Sequence, residues 1–98
     1  MGQVRWTEEA AERLRQIRDY LVERSPRAAS ETVRGLYELA GSLDRFPERG
    51  FLYRTRSGDA VRILLYGHYR VVYRVEADGN VIVIGIFHGA MDLPLYLP

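Results

Sequence analysis

The sequence predicts an α+β fold: an N-terminal strand, an antiparallel helical hairpin, and a mainly antiparallel β-sheet with the hairpin packed on one face. Three observations carry this. Val61 to His88 reads as three apolar, β-branched and aromatic runs divided by turn signals at Gly67-His68 and Asp78-Gly79, which is a three-stranded meander. Before it, two stretches repeat apolar residues at helical spacing with almost no loop between them, so the helices must lie antiparallel. Neither stretch is apolar all round, so each stripe needs the other helix and the sheet to cover it.

The elements follow in chain order. Gln3-Val4-Arg5-Trp6 is short and alternating and is read as the first strand. Thr7 fits a helix N-cap, with Glu8 and Glu9 in the first turn, where the helix dipole favours carboxylates. Ala10, Leu14, Ile17 and Leu21 then form one narrow stripe, giving a helix from about Glu8 to Arg24. Ser25 fits a second N-cap and Pro26 the first helical position, where a missing N–H costs nothing. Ala29, Val33, Leu36, Ala40 and Leu43 make the second stripe, ending near Phe46-Pro47. Glu48-Arg49-Gly50 is a turn, and Phe51 to Arg56 alternates as a short strand. Leu52, Arg54 and Arg56 lie on one face of it. The meander and a tail from Gly89 to Pro98 complete the chain.

Register decides which side chains can cooperate, because a one-residue slip exchanges the faces of a strand. A two-residue Asp78-Gly79 turn pairs Ala77 with Asn80, Arg74 with Val83, Arg70 with Phe87 and Tyr69 with His88. Tyr69, Val71, Tyr73, Val75, Ile82, Ile84 and Ile86 then face the helices, and so does His88 unless a bulge precedes Gly85. At the earlier turn, a two-residue Gly67-His68 loop would put Arg62 beside Tyr73 on the core side. A three-residue loop, Gly67 to Tyr69, pairs Arg62 with Arg74 and keeps charge out of the core, and is preferred. The open face then carries Arg62, Arg70 and Arg74 around Val72, Val83 and Phe87, with Arg54 and Arg56 extending the patch. Such a face suits an acidic peptide or a phosphate backbone, or is plain solvated surface.

Composition bounds the rest. The 98 residues suit one domain, 1–98, with a small core; 47% are hydrophobic and 28% charged. No apolar run approaches the roughly 20 residues of a membrane span, and no apolar segment follows Met1–Trp6 as in a signal peptide. Cysteine is absent, which excludes disulfides and thiolate-ligated metals. A formal net charge of +1 gives no general attraction to nucleic acid. All 14 Lys/Arg positions are arginine, from codon bias or from a preference for planar, bidentate contacts to carboxylate and phosphate. Without lysine there is no Schiff-base chemistry and no P-loop. No histidine or carboxylate set has metal-ligand spacing. The serines lack a nucleophile's context. No cofactor or metal is expected.

The ordered set WTEEAAERL, FPERG after a helical hairpin, and YRVVYRVEADGNVIVIGIFHGAMDLP resembles the RelE/ParE superfamily, the toxins of type II toxin–antitoxin systems of bacteria and archaea. The resemblance covers nearly the whole chain and is most specific at Tyr69–Val75 and His88–Pro94. It implies a cytoplasmic toxin neutralised by a cognate antitoxin. RelE-like members are metal-independent, ribosome-dependent mRNA endonucleases that use basic residues on the concave sheet face and often a Tyr or His near the C-terminus. ParE-like members instead poison DNA gyrase. Arg70 matches the phosphate-binding arginine of the RelE-like branch. Val61 and Ile63, with Arg62 between, stand where that branch has lysines, and Phe87 stands where it has a second arginine. Only Tyr96 could match its C-terminal tyrosine. The HGAMDLP ending is similar to the ParE-like branch, although that branch commonly has arginine where this chain has Met91.

The resulting expectation is a ParE-like, gyrase-binding toxin with no catalytic residues. Antitoxin contacts are expected at Arg54, Arg56, Arg62 and Arg74, and target contacts at His88, Met91 and Asp92. The alternative is a RelE-like endonuclease acting on ribosome-bound mRNA through Arg70, Arg62 and His88. A third possibility is a non-toxic relative that only binds the antitoxin. No membrane partner is expected.

Overall fold

The computed structural model describes residues 2–97. Strand β1 (Val4–Trp6) leads into helix α1 (Glu8–Val22), helix α2 (Pro26–Gly41) and one 3-10 turn (Ser42–Asp44). Strands β2 (Phe51–Arg54), β3 (Ala60–Tyr66), β4 (Tyr69–Val75) and β5 (Val81–His88) follow, and a single helical turn α3 (Leu93–Tyr96) ends the described chain. The sheet order is β1-β5-β4-β3-β2, with β1 parallel to β5 and every other pair antiparallel.

The caps form as the sequence predicts. The Thr7 hydroxyl accepts from the Ala10 amide and the Ser25 hydroxyl from the Ala28 amide, each at 3.1 Å. Helix α1 stops two residues before Arg24, where the Arg24 and Ser25 amides both fold back to the Leu21 carbonyl. Helix α2 ends at Gly41, short of Phe46, and the tighter 3-10 turn carries the chain to Asp44.

Both hairpin registers differ from expectation, for different reasons. At β3–β4 the loop is the two-residue Gly67-His68, with Gly67 at φ +56°, so Tyr66 pairs with Tyr69 and Arg62 with Tyr73. The charge argument against this register fails because Arg62 is only half buried and its charge is satisfied by main-chain oxygens. Its guanidinium donates to the Gly50 carbonyl at 2.7 Å and the Glu48 carbonyl at 3.3 Å. At β4–β5 the loop is Ala77-Asp78-Gly79. The Glu76 amide donates to Asn80 at 2.8 Å, the Asp78 carboxylate accepts from the Asn80 amide, and Gly79 takes φ +88°. Arg74 therefore pairs with Ile82, not Val83. A bulge at Ile84 then absorbs one residue and restores the expected pairs Arg70–Phe87 and Tyr69–His88.

The bulge rewrites the core. Val71, Tyr73, Val81, Val83 and Ile86 pack beneath Ala10, Leu36, Ala40 and Leu43 of the hairpin, while Ile84 turns to the opposite layer. Val75, expected in the core, is exposed. The opposite face of the sheet is not open either. Leu93 and Leu97 bury themselves on Val61, Ile63, Val72 and Phe87, a second apolar layer closed by the tail. No described helix is long and apolar enough to cross a membrane.

Candidate functional site

The end of β5, the β3–β4 turn and the start of the tail form the most concentrated polar feature. Arg70 projects from β4 on the tail side and donates to two main-chain oxygens, His88 at 3.0 Å and Met91 at 2.5 Å. Its Nε is buried without a hydrogen-bond partner. The Met91 amide also donates to the His88 carbonyl, and the Gly89 amide to the His68 carbonyl at 2.6 Å. The tail is thus fastened to the sheet within four residues of the end of β5.

His88 is exposed; the bulge at Ile84 does precede Gly85, but the longer β4–β5 loop offsets it, so the ladder still pairs His88 with Tyr69. It pairs with Tyr69 as the register requires, but at the rim of the sheet, where the hairpin does not cover it. Its ring packs edge-on against Tyr69 at 5.7 Å and parallel to His68 at 6.2 Å. Its Nδ1 accepts from the Ala90 amide at 3.2 Å. A cleft of about 370 Å³ adjoins it, walled by Arg13, Gln16 and Tyr20 of α1 and floored by Ile86. Burial, then the nearby Tyr20 phenol, raises the Tyr69 phenol above its ordinary value. Met91 is half buried at the cleft's end, and Asp92 is exposed at the N-cap of α3 without a side-chain hydrogen bond to it.

The expected arginine patch divides between two faces. Arg62 lies on the hairpin side with Leu64 and Tyr66, and the β2–β3 register puts Leu52 and Arg54 on that side too. Arg54 donates to the Gly58 carbonyl at 3.0 Å, and Arg56 is exposed in the following turn. Arg70 and Arg74 lie on the tail side with Val72. Arg74 is exposed and approaches Glu76 only to 3.9 Å.

Two residues matter that the sequence reading passed over. Arg13 of α1 reaches across the β5 edge to the rings of Phe87 (5.8 Å) and Tyr96 (5.5 Å), bracing the tail against the helix. With Arg74 it walls a second cleft of about 530 Å³ above Phe87 and Tyr96. Tyr73 faces the helices as expected but does more than pack. Its hydroxyl donates to the Pro47 carbonyl and accepts from the Gly50 amide, both at 2.8 Å, so it ties down the FPERG turn together with Arg62. A Cβ at Gly50 would lie 2.9 Å from that hydroxyl and 2.8 Å from the Ile63 carbonyl, which is why glycine stands there. Neither contact had a signal in the sequence, since both join residues more than 20 positions apart.

The three residues expected of an RNA-cleaving site are not brought together. The RNA-cleaving set would need Arg70, Arg62 and His88 to converge on one phosphate. Arg62 holds the FPERG turn on the other face, and Arg70 meets His88 through its carbonyl, not its ring. Among the described residues no three His, Asp or Glu side chains gather as a metal-ligand set.

Comparison with known proteins gives a consistent result. A family model described as the ParE toxin of the type II toxin-antitoxin system, parDE, matches residues 4–93. A relative named Toxin RelE2, from Caulobacter vibrioides, is 38% identical over 90 residues, covering 92% of this chain and 98% of the relative. Among solved structures, the chromosomal ParDE toxin–antitoxin system from P. aeruginosa aligns with a TM-score of 0.70 at 25% identity, over 90% of this chain and 96% of that one. The RelBE2 toxin–antitoxin complex from Mycobacterium tuberculosis aligns with a TM-score of 0.66 at 24% identity, over 89% and 96%, and supports the fold.

Proposed function

The chain belongs to the ParE toxin family of type II toxin–antitoxin systems, and from that premise we propose that it arrests growth by binding a protein target, DNA gyrase, until a cognate antitoxin neutralises it. The observation that carries this reading is the closed tail-side face. The surface on which an RNA-cleaving relative would cradle a phosphate backbone is an apolar layer under Leu93 and Leu97, and Arg70 already holds two main-chain oxygens there. A protein-binding toxin needs no such cradle. In this reading the exposed corner formed by His88, Met91 and Asp92 contacts the target.

The antitoxin is expected on cationic edges. Strand β2 is an outer strand of the sheet, and Phe51 and Leu52 are exposed on it beside Arg54 and Arg56. An extended acidic segment can add there as a further strand, with Arg74 engaging a second stretch of the same wrapping tail. Arg62, held by Gly50 and Glu48, contributes by keeping the turn before β2 in place. The chain then acts in the cytoplasm, where gyrase and the antitoxin are met.

The alternative, an mRNA endonuclease, is favoured by one observation: His88, Tyr69 and His68 are grouped beside a cleft that Arg13 also lines. The deciding experiment is induced expression followed by assays for gyrase-linked DNA breaks and for mRNA cleavage on ribosomes. Trapped gyrase–DNA breaks with intact mRNA are expected. Ribosome-dependent mRNA cleavage without DNA breaks overturns the proposal in favour of the endonuclease.

A further inference from the structure

Two arginines with donors to spare line the cleft of about 530 Å³ beside the C-terminal turn. Among the described residues, the Arg13 guanidinium has no hydrogen bond or ion pair; only the Phe87 and Tyr96 rings hold it. Glu9, one turn earlier on α1, lines the same cleft without pairing with it. Arg74 of β4 comes no nearer than 3.9 Å to Glu76. An arginine held by ring contacts alone still offers its planar N–H fork to a carboxylate.

The sheet is reshaped where the cleft opens. Ile84, the bulged residue of β5, and Gly85 both line it, and bulges commonly re-aim side chains beside binding sites. Glycine at 85 leaves space for Phe87, since a Cβ there would meet the edge of its ring at 2.5 Å. The Phe87 and Tyr96 rings, with centroids 5.7 Å apart, supply an apolar wall. Arginines and rings together fit an anionic group carried on a planar apolar body. The charged side chains lining the cleft are Arg13, Arg74 and Glu9, a net of one positive charge. A monoanion is neutralised there, whereas a phosphate dianion exceeds that charge and is also repelled by Glu9.

We propose that this cleft is a binding site for a carboxylate joined to an aromatic body, with Arg13 and Arg74 taking the carboxylate and Phe87 and Tyr96 packing on the ring. A free aromatic acid and a glutamate–aromatic step in a peptide share this chemistry. The site stands apart from the choice of growth-arrest target, because neither His88 nor Asp92 lines the cleft.

Chemical-shift titration of the isotope-labelled full chain with benzoate, at neutral pH and low salt, tests this. Saturable shifts are expected at Arg74, Gly85, Phe87 and Tyr96, with a dissociation constant of about 1 mM or below. Neutral benzamide should bind at least about tenfold more weakly, having no charge to pair, and phenyl phosphate no more tightly than benzoate. Arg13→Gln and Arg74→Gln should each weaken benzoate at least about tenfold, the loss of one charge-assisted contact. Arg74→Gln is the stricter variant, because Arg74 is exposed and makes no hydrogen bond that the fold would lose. The peptide N-acetyl glutamyl-phenylalaninamide separates the two sources. Tighter binding than benzoate assigns the site to a peptide, and equal or weaker binding assigns it to a free acid. Absence of saturable shifts overturns the proposal, as does binding that survives both substitutions or removal of the probe's charge. Tighter binding of phenyl phosphate also overturns it, as do shifts centred on Tyr69 and His88, which place the acid in the neighbouring cleft.

Discussion

The Arg70 guanidinium donates to the Met91 carbonyl at 2.5 Å, joining the centre of the sheet to the first turn of the tail. The same nitrogen holds the His88 carbonyl, so one side chain fixes the point where the tail turns back over the second apolar layer. In this chain the arginine of the central strand is a fastening for its own C-terminal segment.

Removing that fastening separates structure from activity. Arg70→Ala is expected to destabilise the fold by about 1–3 kcal/mol, since its two charge-assisted bonds are only partly buried, and to speed amide exchange from Gly89 to Leu97. If gyrase is the target, growth inhibition should persist at temperatures where the variant remains folded. Loss of toxicity in a folded, antitoxin-binding variant supports the endonuclease reading instead.

The two helices are expected to differ in their sensitivity. Leu36 is fully buried at the centre of the hairpin–sheet core, so Leu36→Ala should cost about 2–5 kcal/mol in chemical denaturation. Leu14 is only partly buried at the margin of that core, so Leu14→Ala should cost distinctly less. Equal costs would mean that the hairpin packs differently from the arrangement described.

Tyr73 supplies a pH signature. Burial raises its phenol above the ordinary 10.0, while the Gly50 amide, Arg62 and Arg49 partly oppose the shift. A folded-state pKa above the unfolded one favours the neutral phenol. Its contribution to stability is therefore complete below about pH 10 and declines as pH rises through the folded-state value. Tyr73→Phe should reduce the alkaline slope, leaving the part due to Tyr69, and cost about 1–3 kcal/mol at neutral pH, because the buried Gly50 amide loses its acceptor. Denaturation midpoints of both proteins between pH 7 and pH 11 check both effects; an unchanged slope would refute the assignment.

Antitoxin association should depend on charge through Arg54 and Arg74, which are exposed on different faces. Stopped-flow binding at low and high salt is expected to show slower association at high salt and with the Arg54→Ala, Arg74→Ala double variant, while dissociation changes little. Arg62→Ala should act differently, weakening the FPERG turn and lowering stability, because both contacts that define its position are main-chain oxygens. An association rate indifferent to salt and to the double substitution would show that the acidic-tail reading is wrong.

Local sequence determined the elements, because caps, helical spacing and β-branched alternation act over a few residues. Thr7 and Ser25 cap the helices as read, Pro26 opens α2, and the strands fall in the expected runs except that β2 ends at Arg54, short of Arg56. The family is legible in the ordered motifs from Trp6 to Pro94, and the comparisons bear it out. Only tertiary structure decided how those elements meet. The Asp78-Gly79 signal announces a turn but not whether two or three residues form it, and the compensating bulge at Ile84 shifts which isoleucines and valines reach the core. Arg62 could enter the hairpin side only because carbonyls of a turn 12 residues earlier await it. The tail closes the second face because Val61, Val72 and Phe87 come from three strands that become one apolar surface after pairing. Arg70 followed that surface: its chemistry was readable in the sequence, but its partners, the oxygens of His88 and Met91, were set by where the packed sheet left the tail to lie.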